Sequence, residues 1–171
     1  MEGAPHISCI GSTRDGIRDV LDQYRGHGIR HLVALRGDLP SGSADVGDFR
    51  YANELVRFIR DETSDWFHID VAAYPEYHPQ SRNPDDDIGS FRRKIDAGAN
   101  SAITQYFFNA DAYWSFVDAC ADRGITVPIV PGIMRQHRGA RGVNLSLARP
   151  NRNGKRVSDP HQNAIRVVFR R

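Results

Sequence analysis

The chain has 171 residues, of which 40% are hydrophobic and 26% are charged, and its formal net charge is +2. These values are ordinary for one globular domain with a sizeable core. No apolar run is long enough to span a bilayer, and the first five residues do not resemble a signal peptide, so we expect a cytoplasmic protein without a membrane partner. Cys9 and Cys120 form neither a C-x-x-C motif nor a zinc spacing, which favours packed thiols and predicts no metal site.

The charge is divided unevenly along the chain. Residues 135–171 hold ten Lys or Arg and one acid, Asp159, whereas the first 134 residues hold 13 bases and 20 acids. We therefore predict a folded domain over 1–134 and an irregular, disordered basic tail over 135–171. Such a tail is either a nucleic-acid-binding arm or sequence read in a shifted frame. We favour the second interpretation, without a nucleic-acid partner, because aromatic residues are nearly absent from the tail and no binding motif occurs.

Five short apolar segments predict buried parallel strands, near residues 6–10, 31–36, 69–74, 102–108 and 127–131. Four segments between them have apolar residues at helical spacing. The first helix is predicted to begin with a capping box formed by Ser12 and Asp15, and the second to bury Tyr51. Asn83 and Asn109 are the predicted N-caps of the third and fourth helices. Alternating strands and helices imply a parallel sheet with right-handed crossovers, which is either doubly wound or part of a barrel.

Polar or unusual residues follow the ends of several predicted strands. They are Arg36-Gly37-Asp38, Tyr74-Pro75-Glu76 and Gln105. Barrel active sites are assembled from such strand ends, whereas no G-x-G-x-x-G or phosphate-loop motif supports a nucleotide-binding open sheet. We therefore predict an α/β fold that is a partial TIM (β/α)8 barrel, with about five parallel strands and outer helices, followed by the basic tail.

The chain from His6 to about Met134 resembles the bacterial methylenetetrahydrofolate reductase family. The motifs that carry the resemblance are, in order, His6-Ile7-Ser8-Cys9-Ile10, Leu35-Arg36-Gly37-Asp38-Leu39-Pro40, Ala72-Ala73-Tyr74-Pro75-Glu76-Tyr77-His78-Pro79, Arg93-Lys94-Ile95-Asp96-Ala97-Gly98-Ala99-Asn100 and Ile103-Thr104-Gln105-Tyr106-Phe107-Phe108. The resemblance implies a TIM barrel that binds FAD. It also implies hydride transfer from NAD(P)H to 5,10-methylenetetrahydrofolate, which gives 5-methyltetrahydrofolate for methionine synthesis. A homo-oligomer is compatible with the family.

The resemblance also implies roles for individual residues. Asp38 and Gln105 are implied to be catalytic and substrate-binding: an anion beside the flavin would stabilise a folate 5-iminium cation, and the Gln105 carboxamide can both donate and accept hydrogen bonds. His6, at the end of its strand, is implied to contact the flavin. The other implied flavin-binding residues are Arg36, Gly37, Asp38, Tyr51, Ala52, Tyr74, His78, Ser81, Asp87, Ser90, Arg93 and Lys94. From pattern alone, Tyr51 is a core aromatic and Arg93 and Lys94 belong to a solvated helix face.

The chain also departs from the family pattern. No run resembling E-F-F-P-P, which carries the family's general-acid glutamate, occurs in these residues, so we expect impaired folate reduction. Two alternatives stay open. One is a non-catalytic remnant that neither folds stably nor binds FAD, and the other is a metal-dependent hydrolase that uses His6, Glu76 and His78.

Overall fold

A computed structural model of the chain describes residues 3–38, 47–76, 83–132, 149–150 and 156–157. Its central feature is a five-stranded parallel sheet with the strand order β1-β2-β3-β4-β5. The strands are β1 (His6–Ser8), β2 (His31–Leu35), β3 (His68–Ala73), β4 (Ser101–Thr104) and β5 (Ile129–Val130). The helices between them are α1 (Arg14–Gly26), α2 (Ala52–Thr63), α3 (Pro84–Asp96) and α4 (Ala110–Asp122). Two further strands, β6 (Arg149–Pro150) and β7 (Arg156–Val157), pair antiparallel.

The strand order explains why all four helices lie on one face of the sheet. Each strand is followed by its spatial neighbour, and right-handed crossovers then place every connection on the same side. The buried core accordingly joins this face of the sheet to the helices. It contains Ile7, Leu32, Ala34, Ile69, Val71 and Ala102 from the strands, with Ile17, Leu21, Leu55, Ile59, Ile88, Phe91, Phe116 and Cys120 from the helices. A doubly wound sheet would carry helices on both faces, so the described residues form a barrel-like sector.

The register between neighbouring strands determines which side chains lie together on the face of the sheet that points away from the helices. His31 is the Cα partner of His68, Val33 of Asp70, and Asp70 of Ser101. Because side chains alternate along a strand, these partnered residues share the face that points away from the helices. This face is therefore polar at the amino ends of β2, β3 and β4.

Local capping signals explain where the helices start. Asn83 precedes α3 and its side chain accepts a hydrogen bond from the Asp86 amide at 2.8 Å, and Asn109 caps α4 in the same way at the Asp111 amide. Both predicted caps are confirmed. The predicted capping box at Ser12 is wrong, because Thr13 is the N-cap of α1 and accepts from the Gly16 amide at 3.1 Å.

The predicted burial of Tyr51 is also wrong. Tyr51 is the N-cap residue of α2 and remains 58% exposed, whereas Leu55 and Ile59 of the same predicted stripe are fully buried. Helical spacing placed Tyr51 on that stripe, but the helix begins one residue later, so the Tyr51 backbone is extended and its ring leaves the core face.

The α/β class with about five parallel strands and outer helices is confirmed. No helix of the described segments has the length and apolar character needed to cross a membrane.

The end of β5 depends on a close backbone approach that only glycine allows. The Gly132 amide donates to Thr104 Oγ1 at 2.9 Å, and a Cβ at this position would overlap the Thr104 carbonyl oxygen. That obstacle is backbone, so it cannot rotate away. At Gly26, the last residue of α1, the position that a Cβ would occupy is surrounded by open space.

We therefore expect Gly132→Ala to lower the free energy of unfolding by about 1–3 kcal/mol, the usual cost of overpacking. Gly26→Ala is the matched control and should leave stability unchanged or raise it by up to about 1 kcal/mol. Urea unfolding followed by circular dichroism measures both. Equal stabilities for the two variants would contradict the close approach at Gly132.

Candidate functional site

A pocket of about 370 Å³ lies over the carboxyl ends of β2 and β3, between the start of α2 and one side of α3. Parallel strands direct the segments that follow them to one edge of the sheet, which is where ligand sites of α/β proteins occur. The residues around it are Ala34, Leu35, Arg36, Gly37, Asp38, Tyr51, Ala52, Asn53, Ala72, Tyr74, Asp87, Ser90, Arg93 and Lys94.

The turn after β2 forms one wall of this pocket. Gly37 has a φ of +79°, a left-handed conformation that favours glycine, and a Cβ there would overlap the Ser8 hydroxyl. The Arg36 carbonyl accepts from Ser8 Oγ at 3.1 Å and from the Ile10 amide at 2.9 Å. These contacts from β1 and the residues after it hold the turn, so the Arg36 side chain starts from a fixed backbone.

Arg36 also links β2 to the entrance of α2. Its Nε donates to the Arg50 carbonyl at 3.2 Å, while the Arg50 amide donates to the Glu54 carboxylate at 2.7 Å. Glu54 accepts from the Tyr51 amide as well, at 3.4 Å. Glu54 therefore satisfies amides at the start of α2 that have no partner inside the helix, and it positions Tyr51 and Ala52 at the pocket.

Lys94 of α3 reaches the opposite wall. Its Nζ donates to the Ala72 carbonyl at 2.9 Å and lies 5.9 Å from the centre of the Tyr74 ring. Burial lowers the pKa of Lys94 from its ordinary value of 10.5 to about 8; Asp87 opposes this shift and Arg93 adds to it. An anion in the pocket would favour the charged form of Lys94, because a nearby opposite charge stabilises the ammonium.

The remaining α3 residues of the pocket form a small polar group. Ser90 Oγ donates to the Asp86 carbonyl at 2.9 Å and accepts from Arg93 Nη2 at 2.8 Å, which fixes the Arg93 guanidinium beside the pocket. Asp87 is buried. Burial, with Asp87 and Asp38 as negative neighbours, raises the pKa of Tyr74, so Tyr74 is a neutral phenol at pH 7. The pocket thus combines three cations, two carboxylates and aromatic surface.

The structure gathers most of the residues that the family resemblance implied for flavin and substrate binding. The exceptions are His6, Gln105, His78 and Ser81. His6 is the first residue of β1, at the amino end of that strand, and lies by a separate cleft of about 450 Å³ with Ile7 and Ser8. Gln105 follows β4 and is exposed, but it does not line the pocket. His78 and Ser81 lie outside the described residues.

Glu76 has a different role from the one that a hydrolase would require. Its Oε1 accepts from the amides of Phe108 and Asn109, at 3.4 and 3.2 Å, and so supports the segment between β4 and α4. Within the described segments, His6 and Glu76 do not belong to a common group of metal-ligating side chains. The hydrolase alternative therefore gains no support from the geometry.

Sequence reasoning missed Asn53, which lines the pocket next to Ala52. It is the second residue of α2, and a polar side chain in the first turn beside an implied ligand contact is the signal that could have identified it. A role for Lys94 and Arg93 in binding was implied by the family resemblance alone. Their positions in the helix do not show whether the two side chains face a pocket or solvent.

Comparison with known proteins gives the family. Residues 1–139 match the family described as methylenetetrahydrofolate reductase. The 5,10-methylenetetrahydrofolate reductase of Salmonella typhimurium is 49% identical over 134 residues, and that of Escherichia coli is 48% identical over 134 residues. Each alignment covers 78% of this chain but 44% of the relative, so the chain spans less than half the length of these relatives.

Solved structures give the same fold at low sequence identity. A dihydrodipicolinate synthase aligns with a TM-score of 0.55 and 17% identity over 77% of this chain and 45% of its own. A phosphonopyruvate hydrolase aligns with a TM-score of 0.57 and 14% identity over the same shares. These neighbours are TIM-barrel enzymes and support the barrel fold alone. The sequence matches carry the further conclusion that this chain belongs to the methylenetetrahydrofolate reductase family.

Proposed function

We propose that the pocket over β2 and β3 binds part of FAD and that the chain serves FAD-dependent reduction of 5,10-methylenetetrahydrofolate by NAD(P)H. The observation that carries the proposal is the convergence on one pocket of Arg36, Gly37, Tyr74 and Lys94, which come from separate segments. The residues fit the group. Cations suit a pyrophosphate, aromatic rings suit a planar ring system, and a glycine lets the backbone approach. A volume of about 370 Å³ accommodates part of a dinucleotide.

In this proposal, different residues of the pocket contact different parts of FAD. Arg93, already held by Ser90, and Lys94 hold the phosphate charges beside α3, while Ala52 and Asn53 approach from the first turn of α2. FAD supplies the hydride-transfer chemistry when bound. Asp38, at the carboxyl end of β2, disfavours an added negative charge on the ring and stabilises a cation beside it. Gln105 is proposed to hydrogen-bond the folate or the nicotinamide in turn.

We further propose that folate reduction is the weaker half of the activity in this chain. The described carboxylates beside the pocket are Asp38, which we assign to the flavin, and the buried Asp87, while Glu76 is engaged with two backbone amides. We propose that none of these three carboxylates is the proton donor that folate activation needs. Transfer from nicotinamide to flavin requires chiefly the placement of two rings. A transient-kinetic measurement of both half-reactions compares them directly. Reoxidation of the flavin by folate at the rate of an intact relative would contradict this proposal.

The proposal predicts that the full chain retains FAD. After incubation with FAD and desalting, the protein should show a flavin spectrum, and Lys94→Met should weaken FAD binding at pH 7 by at least about tenfold, the effect of losing one charge-assisted contact of about 1.5–3 kcal/mol. Arg92→Met is the control, because Arg92 is on the same helix but binds Asp96 and the Arg123 carbonyl instead. Both variants remove one positive charge.

Absence of any flavin spectrum in the wild-type chain would contradict FAD binding and would favour the non-catalytic remnant. Equal losses of affinity in Lys94→Met and Arg92→Met would also contradict the assignment, because the effect would then reflect net charge rather than the pocket.

The lowered pKa of Lys94 predicts a pH dependence of binding. A phosphate binds the protonated ammonium, which loses its proton as the pH rises through about 8 in the free protein. FAD affinity should therefore be constant below about pH 7.5 and fall above pH 8, by up to about tenfold per pH unit. Flavin fluorescence titrations between pH 6.5 and 9.5 measure this change. Lys94→Met should give a flat profile, and a wild-type profile that is equally flat would show that Lys94 does not contact the anion.

A further inference from the structure

We propose that His31, His68 and Asp70 bind a divalent transition-metal ion at the amino ends of β2 and β3. This site is at the opposite edge of the sheet from the pocket, because His31 and His68 are the first residues of their strands. The two histidines are direct Cα partners in the β2–β3 pairing. Asp70 follows His68 by two residues, so strand alternation places it on the same face.

The donor atoms of the three side chains already converge. His31 Nε2 lies 2.6 Å from Asp70 Oδ2, His68 Nε2 lies 3.7 Å from Asp70 Oδ1, and one donor atom from each residue lies within 4.8 Å of the others. Zinc bonds of about 2.0–2.2 Å in a tetrahedral arrangement separate neighbouring donors by about 3.3–3.6 Å. Small side-chain rotations therefore suffice to place an ion between the three groups.

The charge at Asp70 gives a physical reason for a cation at this site. Asp70 is buried, with only 6% of its side chain exposed. Among the ion pairs of the described segments, the partners of Asp70 are His31 and His68, and neither a lysine nor an arginine reaches it. Burial of a carboxylate is costly and favours a compensating positive charge beside its hydrogen bonds. A metal ion would supply this positive charge, and the imidazole side chain is a common metal ligand.

Ser101 supports the carboxylate from β4. Its hydroxyl donates to Asp70 Oδ1 and lies 2.6 Å from His68 Nε2. When a metal takes the place of the Ser101–His68 contact, the serine still orients the Asp70 carboxylate, as residues around metal ligands commonly do. The His31 and His68 side chains are 41% and 48% exposed, which leaves an approach from solvent.

The donor set indicates the class of ion. Two imidazole nitrogens and one carboxylate oxygen suit Zn²⁺, Co²⁺, Fe²⁺ or Mn²⁺, with open positions for water, whereas Ca²⁺ and Mg²⁺ favour oxygen ligands. The bound ion would join β2 directly to β3 and, through Ser101, to β4. The amino end of a barrel sheet is associated with stability rather than catalysis. We therefore assign this site a stabilising role.

Titration of the metal-free full chain with Co²⁺ and Zn²⁺ at pH 7.5 tests the proposal. Co²⁺ should give visible d–d absorption bands of a low-coordinate site, Zn²⁺ should abolish them by competition, and excess Zn²⁺ should raise the thermal unfolding midpoint. His31→Asn and His68→Asn should each lower the bound stoichiometry by one ion. Ser101→Ala should retain the ion with affinity reduced about tenfold or more.

His27→Asn is the matched control, because His27 is an exposed histidine at the end of α1. It should leave the stoichiometry and the cobalt spectrum unchanged. The proposal is overturned if the wild-type chain binds no Co²⁺, or if His31→Asn and His68→Asn bind metal as the control does, which would leave a hydrogen-bonded network of Asp70, Ser101 and the histidines without a metal. FAD binding is measured separately, so failure at this site leaves the flavin proposal unaffected.

Discussion

The parallel pairing of β2 with β3 is the constraint on which both sites depend. Its register runs from His31↔His68 to Ala34↔Val71. This register determines how the segments before and after β2 are aligned with those before and after β3. At the carboxyl ends it brings the Gly37 turn beside Tyr74, and at the amino ends it brings two histidines together. A slip of one residue would turn Asp70 toward the helices and Val71 away from them, exposing apolar surface and burying an unpartnered charge. The core therefore enforces the register that the pocket requires.

The carboxyl ends and the amino ends of the strands are chemically different because different segments of the chain reach them. At the carboxyl edge, the first turn of α2 and one side of α3 add Asn53, Arg93 and Lys94 to the strand ends, which makes a cleft. At the amino edge, the donor groups come from the strands themselves, and Asp70 is held by Ser101 on the next strand. A cleft lined by side chains of both charges suits an organic anion, whereas a compact set of three donor atoms suits an ion.

The sequence pattern predicted five strands in the observed order, and it predicted the caps at Asn83 and Asn109 from local chemistry. It made three strands too long, because β1 ends at Ser8 and not at residue 10, β4 ends at Thr104 and not at residue 108, and β5 is limited to Ile129–Val130. It failed at Tyr51 and Ser12, where helix entry depends on hydrogen bonds by Glu54 and Thr13 that a spacing rule does not contain. The pocket residues on α3 were accessible only through the family resemblance. The His31, His68 and Asp70 group was missed for another reason. Its members come together through strand pairing, although His68 and Asp70, in a His-x-Asp spacing at the start of the predicted third strand, were a usable signal. His6 and Gln105 remain predictions, since the described pocket does not include them.

We propose above all that the pocket between the Gly37 turn and Lys94 receives the flavin. A crystal structure of the full chain grown with FAD tests it most directly. We expect flavin density between α2 and α3, with phosphate oxygens within hydrogen-bond distance of Lys94 Nζ or the Arg93 guanidinium, and with the Gly37 backbone against the ligand. Flavin density at another surface, with this pocket holding only solvent, would contradict it.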